Sequence, residues 1–328
     1  MTDARDLTTV AWVESPLQLI NAIEHAHRHH AATGARSVVL WREGVRQLAD
    51  TATWLGPHAI PVADLVPAGG AWDPRFRAAR TRVIGDAFSG QYRTVVAATG
   101  ARETVVVDDG SAALHLAAAL AGTEPFGRMG QVESAHQRAL GVVTASRLRA
   151  AARGGRLTLF TAYADDSALA DVPGARIVLN DYTWLRTVQA PAPSRLAPSV
   201  VLGSALAVDG YIDAAAYEGW AASLARGAVY LPHRRESDES LARLGQSGLR
   251  VLRPGLPAEI VLGLAADVRE VHSLPSSTGA TLSRVLREAT LTVHAVPPGW
   301  WTPSADEAMR STLDYLANTA RDAGQKED

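Results

Sequence analysis

Gln189-Ala-Pro-Ala-Pro-Ser-Arg-Leu-Ala-Pro198 divides this 328-residue chain in two. The stretch carries three prolines in ten residues and has neither the two-residue period of a strand nor the 3.6-residue period of a helix, which is the composition of a stiff linker. On its N-terminal side, short β-branched runs alternate with amphipathic Ala/Leu/Arg segments. The strands expected there are Thr8–Val13, Ser37–Trp41, Thr94–Ala97, Thr104–Val107 and Leu157–Thr161; helices are expected near Leu17–His30, Pro74–Phe88, Ser111–Ala121 and Ser134–Ala152. Ser15-Pro16 sits where the first strand gives way to a helix, with Ser15 as N-cap and Pro16 at the first helical position.

The alternation restarts after the linker. Strands are expected at Ser199–Leu202, Ala228–Leu231, Arg250–Leu252, Val268–Val271 and Thr290–His294, with helices at Ala214–Ala225, at Pro257–Leu264 and from Ser276. A final helix, about Ser304–Ala323, follows the turn Pro297-Pro298-Gly299-Trp300-Trp301. The fold class is therefore α/β. Residues 1–190 read as one Rossmann-like domain, 199–300 as a second and 189–198 as the linker, with the C-terminal helix, 303–328, packing back on the first domain. That outline resembles the GT-B glycosyltransferases, whose two Rossmann-like domains face a central cleft. Open α/β sheets bind ligands beyond the carboxyl ends of their strands, so those ends are where chemistry is expected.

Composition narrows that chemistry. There is no cysteine, and the one lysine, Lys326, lies in the polar AGQKED tail. Thiol nucleophiles, Cys-ligated zinc and iron–sulfur clusters are excluded, and a Walker-type phosphate loop and Schiff-base catalysis lack their lysine. Thirty-two basic residues against 34 acidic ones leave a net charge of −2, which argues against a surface that tracks nucleic acid. No segment reaches the ~18 uninterrupted apolar residues of a spanning helix. MTDARDLTTVAWV has no cationic start followed by an apolar core and cleavage site, so the expected location is cytoplasmic. Peripheral contact with the inner face of the plasma membrane and the oligomeric state are left open.

Four stretches at expected strand ends could carry a reaction. In Val107-Asp108-Asp109-Gly110-Ser111 an apolar strand runs into two carboxylates and a glycine that permits a sharp turn. A desolvated carboxylate beside another negative charge has a raised pKa and can act as a general base; equally, Asp109 could cap the following helix while Asp108 marks the strand end, and a magnesium-binding pair is a third option. In Tyr230-Leu231-Pro232-His233-Arg234-Arg235-Glu236 a strand ends in an imidazole backed by two guanidinium groups, a set suited to phosphate or, more plainly, to a solvated turn. Leu274-Pro275-Ser276-Ser277-Thr278-Gly279 offers three hydroxyls and free backbone N–H groups at a helix start, an anion site or an ordinary cap. In Glu14-Ser15-Pro16-Leu17-Gln18, Ser15 and Gln18 either face the cleft or only cap the helix.

Taken together, these motifs resemble those of the bacterial lipooligosaccharide-type sialyltransferases (glycosyltransferase family 52) and the related capsular polysialyltransferases. That grouping is marked by an acidic pair plus glycine, a His-Pro motif and a later Ser-Ser/Thr motif. Here they stand as Asp108-Asp109-Gly110, His233-Arg234 and Ser276-Ser277-Thr278, with support from Ser15-Pro16-Leu17-Gln18 and Pro257-Ala258-Glu259. Arg234 replaces the usual proline, and Pro232 precedes the histidine instead.

The resemblance implies inverting, metal-independent transfer from a CMP-activated sialic acid, or a related nonulosonic acid, to a hydroxyl of a glycan acceptor, with no further cofactor. It implies Asp109, or Asp108, as base and His233 as donor of a proton or a hydrogen bond to the departing phosphate. Ser276, Ser277 and Thr278 would anchor that phosphate, Gly203 would line the donor site and Arg234, or Arg235, would touch the phosphate or the sugar carboxylate. Glu259 would hold the ribose, while Ser15, Gln18 and Gly110 would line the cleft. Another CMP-sugar such as Kdo, or a non-catalytic nucleotide-sugar-binding homologue, is the alternative. His25, His27, His29 and His30 lack a third metal ligand in the sequence, and Trp300-Trp301 is expected to pack the final helix. Near neutrality weighs against a processive polyanion polymerase.

Overall fold

The computed structural model describes residues 9–325 apart from 108, 109, 111, 129, 130, 165, 171, 193, 225, 226 and 287. The chain forms two compact units, Met1–Val188 and Gln189–Asp328. The first begins β1 (Thr9–Val13), α1 (Pro16–Thr33), β2 (Ser37–Arg42), α2 (Arg46–Ala59), β3 (Ala63–Ala68), α3 (Pro74–Ala78), β4 (Thr81–Ile84) and α4 (Gly90–Thr99). It continues with β5 (Glu103–Val107), α5 (Ala112–Ala121), α6 (Ala135–Arg153), β6 (Leu157–Thr161), α7 (Ser167–Ala170), β7 (Arg176–Leu179) and α8 (Thr183–Thr187). Its seven strands are all parallel in the order β3-β2-β1-β4-β5-β6-β7. Strands covered by helices on both faces are apolar throughout, and β1 and β6 are buried at every position.

The second unit runs β8 (Ser199–Leu202), α9 (Ala205–Val208), α10 (Ala214–Ser223), β9 (Val229–Leu231), α11 (Asp238–Gln246) and β10 (Arg250–Val251). After these come α12 (Ala258–Gly263), β11 (Glu270–Ser273), α13 (Thr278–Val285), β12 (Thr290–Val293) and α14 (Glu307–Gln325). Its parallel sheet has the order β10-β9-β8-β11-β12. Val200, Val229, Val271 and Leu282 form the centre of its core.

Several elements differ from the sequence reading. Thr94–Ala97 lies in helix α4, not in a strand, because Tyr92, Arg93, Val95 and Val96 are buried at helical spacing and that burial outweighs β-branched propensity. Pro74–Phe88 is no single helix: α3 ends at Ala78 and β4 follows. Arg82 disguises that strand as a helix, yet its buried guanidinium is satisfied by the carbonyls of Phe76, Arg77 and Gly100 and by Thr99 Oγ1. The unanticipated β3 and β7 are the two sheet edges, where Asp64 and Pro67 break the apolar run of β3. The final helix α14 groups with the second unit, whereas the sequence reading attached it to the first domain. Ala317 packs on Val293, and Leu313 joins Leu206, Ile212 and Tyr217. Ile212 bridges Trp301 on the approach to the helix.

Helix α1 carries two buried titratable neighbours with opposite tendencies. Ser15 caps the helix at Gln18 N–H, and Gly34 ends it at φ 72°. Glu24 accepts the amides of Trp184 and Leu185 at 2.9 and 2.7 Å, holding the turn at Tyr182, the one non-glycine residue with positive φ among the described residues. Burial nevertheless pushes its carboxyl up to about 7, while burial, followed by the charges of His29 and Arg28, pushes His25 down to about 4. Glu24 holds its proton more tightly when folded, so its contribution is full below the ordinary carboxylate range and fades as pH rises toward 7. His25 holds its proton less tightly, so its contribution fades as pH falls from 6.5 toward 4. Each effect amounts to about 3 kcal/mol, and between pH 5 and 6 the slopes cancel. Denaturant melts of Glu24→Gln are expected to expose the His25 slope, with stability rising across pH 4.5–6.5 where the parent is flat. A flat profile in the variant would contradict this pairing.

Candidate active site

Each sheet reverses its strand order beside its first strand, at β1/β4 in one unit and β8/β11 in the other, and α/β sheets bind ligands at such points. In the first unit the carboxyl end of β1 delivers Glu14, Ser15 and Gln18. Gln18 Oε1 accepts the Glu14 amide at 2.7 Å, Ser15 Oγ accepts the Gln18 amide at 3.3 Å, and Gln18 is only 2% exposed. Gly85, after β4, makes room for it: a Cβ there would lie 2.2 Å from Gln18 Oε1. Arg42 pairs with Glu14 Oε1 at 3.3 Å. These contacts show Ser15 as the cap it was expected to be and Gln18 as a brace across β1 and β4. Gly110 follows β5 with φ 75°, so an L side chain there would be strained. Asp108 and Asp109, the expected base and its neighbour, lie outside the described residues, as does Ser111.

In the second unit the register pairs Leu202 with Leu231, which sets Gly203 beside Pro232 and His233. A buried chain of hydrogen bonds fastens this corner. The Ser204 amide donates to Tyr217 Oη at 2.9 Å, the two hydroxyls of Tyr217 and Tyr230 are 2.6 Å apart, and Tyr230 Oη donates to Glu236 Oε1 at 2.5 Å. Glu236 Oε2 accepts the His233 amide, also at 2.5 Å. Tyr230 has one hydroxyl hydrogen and gives it to Glu236, so the hydrogen between the two phenols comes from Tyr217, and the protons of the chain point toward Glu236. Desolvation raises the Glu236 carboxyl. Gly203 lies directly against this chain, where a Cβ would come within 2.2 Å of Glu236 Oε2 and 2.3 Å of His233 N.

His233 is half-buried, and its ring nitrogen Nδ1 accepts the Arg235 amide at 3.3 Å. Burial lowers its pKa first, followed by the charges of Arg235 and Arg234, against an opposing pull from Asp209. The two arginines are not equivalent. Arg235 is held by both oxygens of Asp209 at 2.5 and 2.7 Å, while Arg234 is exposed.

The next strand over, β11, leads into Ser276, Ser277 and Thr278 at the start of α13, all half-buried. Glu259 sits in the first turn of α12 and is 5% exposed. Its Oε1 accepts from Thr281 Oγ1 at 3.2 Å, and the same hydroxyl reaches the Thr278 carbonyl at 2.9 Å. The Pro-Ala-Glu and Ser-Ser-Thr stretches are thus joined through one threonine. Gly203, His233 and Ser276–Thr278 follow the carboxyl ends of the adjacent strands β8, β9 and β11, so they line one edge of the sheet.

Sequence reasoning missed Glu236, Tyr217 and Tyr230. For Glu236 a signal existed, because a carboxylate three residues after an exposed turn amide is the spacing by which a side chain reaches back to that amide. Tyr217 belongs to helix α10 and gave none. Among the described residues no three His, Asp or Glu side chains are grouped to hold a metal. His25 and His29 stack on one another, with His25 edge-on to Phe160. Trp300 and Trp301 pack around Ile212 and Leu313. No described helix is long and apolar enough to cross a membrane.

No protein-family model and no curated protein sequence matches the chain. Solved structures match over nearly its whole length. The α/β-galactoside α-2,3-sialyltransferase from the luminous marine bacterium Photobacterium phosphoreum is similar with a TM-score of 0.54 and 9% identity over 96% of both chains. TcCGT1, solved in complex with UDP, gives 0.52 at 11% identity over 97% of this chain and 94% of its own. A UDP-glucosyltransferase from Polygonum tinctorium gives 0.51 at 10% identity over 97% and 93%. At such identities the likeness establishes the fold, which is GT-B.

Proposed function

We propose that this GT-B chain is an inverting, metal-independent glycosyltransferase that moves sialic acid, or a related nonulosonic acid, from a CMP-activated donor to a hydroxyl of a glycan. One observation carries the reading. The carboxyl edge of the second sheet collects an imidazole, an exposed guanidinium and three hydroxyls at a helix start, in a chain whose lone lysine lies in its tail. A single phosphate can be held by such groups. Ser276, Ser277 and Thr278 anchor it, His233 meets the oxygen that departs, and Arg234, not the Asp209-bound Arg235, is the arginine available to the phosphate or the sugar carboxylate. Gly203 lets the donor approach the backbone, and Glu259 holds the ribose. In the first unit Asp109, with Asp108 as second candidate, deprotonates the acceptor, while Ser15, Gln18 and Gly110 shape the edge it works from.

Thermal unfolding with added nucleotide tests the donor assignment. A ligand at a hundred times its Kd stabilises by about 2.7 kcal/mol, a rise of a few degrees in Tm for units of this size. CMP is expected to produce that rise and UMP or UDP much less. Equal shifts from all three would overturn the donor assignment, and a CMP shift without turnover of any CMP-sugar would mark a non-catalytic nucleotide-sugar-binding protein.

A further inference from the structure

The proton on His233 is assignable from its surroundings. A backbone N–H can only donate, so the ring atom facing the Arg235 amide, Nδ1 at 3.3 Å, carries a lone pair. A neutral imidazole then has its hydrogen on Nε2. The charged groups facing the ring are Arg234 and Arg235 on its own turn, Asp209 at the end of α9 and Glu236. Asp209 is occupied by Arg235 through both of its oxygens. Glu236 is spent on Tyr230 and on the His233 amide, which anchors the residue's backbone and leaves the ring to the Arg235 amide. Asp209 alone pulls toward an imidazolium, through a carboxylate already paired with Arg235, while burial and two guanidiniums oppose one.

We propose that His233 serves the transfer as a neutral hydrogen-bond donor through Nε2–H, its tautomer set by the Arg235 amide on Nδ1, and that the phosphate departs without taking a proton from it. The inference rests on the phosphate-transfer reading above. In the step itself the bond from the sugar carbon to the phosphate oxygen breaks and its electron pair stays on that oxygen, so the nucleotide leaves as a dianion hydrogen-bonded to Nε2–H. The new bond forms between the sugar carbon and the acceptor oxygen, whose proton passes to the carboxylate of the first unit and then to water. Histidine ends as it began. Arg235, acting through its amide, is a positioning residue.

Two measurements test this. Long-range 1H–15N correlation spectra of 15N-histidine-labelled protein report each ring's tautomer, with His233 identified by the signals missing from His233→Gln. The expected pattern at pH 7–8 is Nε2–H, persisting further into the acid range than in an exposed histidine; an Nδ1–H tautomer, or an imidazolium at pH 7, would overturn the proposal. This readout needs no substrate, so it separates failure of the inference from failure of the glycosyltransferase reading. The second measurement is CMP release from CMP-sialic acid with water as acceptor. Glutamine keeps an N–H near the Nε2 position and cannot act as an acid, so His233→Gln is expected to stay within ~10-fold of the parent while His233→Ala falls ~10²–10³-fold. Equal losses in the two variants would refute the donor role.

Discussion

Gly203→Ala is expected to destabilise the second unit by about 3 kcal/mol and to abolish its stabilisation by CMP. The added methyl would sit 2.2 Å from Glu236 Oε2, 2.3 Å from His233 N and 2.9 Å from the Pro232 carbonyl carbon, distances at which something must move. Two of the three atoms are backbone, and the third belongs to a carboxylate fixed by Tyr230 and the His233 amide. None is the free end of a flexible side chain. Relief therefore means shifting the His233 turn and breaking charge-assisted hydrogen bonds in a buried place, a cost in the upper range for an overpacking substitution. Gly219, in the middle of α10, has open space around the corresponding position, and Gly219→Ala should gain about 0.5–1 kcal/mol through helix propensity alone. Thermal melts of both variants with and without CMP make the comparison. A Gly203→Ala protein that melts with the parent and still responds to CMP would show the turn to be slack and would remove the reason for placing His233 at the phosphate.

Asp109→Ala is expected to slow CMP release from CMP-sialic acid by ~10²–10⁴-fold, the usual worth of a general base, while leaving the CMP-induced rise in Tm intact. Strand β5, buried from Thr104 to Val107, ends at the carboxyl edge of the first sheet one residue before the acidic pair in the sequence, and Gly110 has φ 75°. Binding of the nucleotide falls to residues of the second unit, which the substitution does not touch. Asp108→Ala should cost less; a larger loss there would transfer the base to Asp108, and full activity in both variants would refute the assignment. EDTA should leave the parent's rate unchanged. Inhibition by EDTA that magnesium reverses would instead make the acidic pair a metal site.

How much of this was legible in the sequence depended on whether the signal was local. Fully buried parallel strands are continuous apolar runs, so β1, β2, β5 and β6 could be read from a few residues each. The edges could not: β3 carries Asp64 and Pro67 because one side of an edge strand has no neighbour to bond, and β7 offers only Ile177-Val178-Leu179. Thr94–Ala97 looked like a strand for its β-branched residues, and only its burial at helical spacing made it α4. Motif residues were legible by type, since a strand end followed by His-Arg, Ser-Ser-Thr or Asp-Asp-Gly states its chemistry wherever it lies. The partners that place them were less so. Glu236 could have been found from its spacing to His233, but Tyr217 is thirteen residues from the tyrosine it bonds and belongs to helix α10.

The amino-acid sequence by itself determined that this is an α/β chain of two Rossmann-like halves around a proline-rich joint, and that any phosphate it holds must be met by arginine, histidine, hydroxyls and backbone amides. Those conclusions need only composition and short-range periodicity. Tertiary structure decided which strands became edges, which unit claimed the last helix, which of two adjacent arginines was already occupied and which nitrogen of His233 carries the hydrogen. Each of those outcomes turns on contacts between residues distant in the chain or on one amide facing one ring atom, distances that composition and periodicity do not encode.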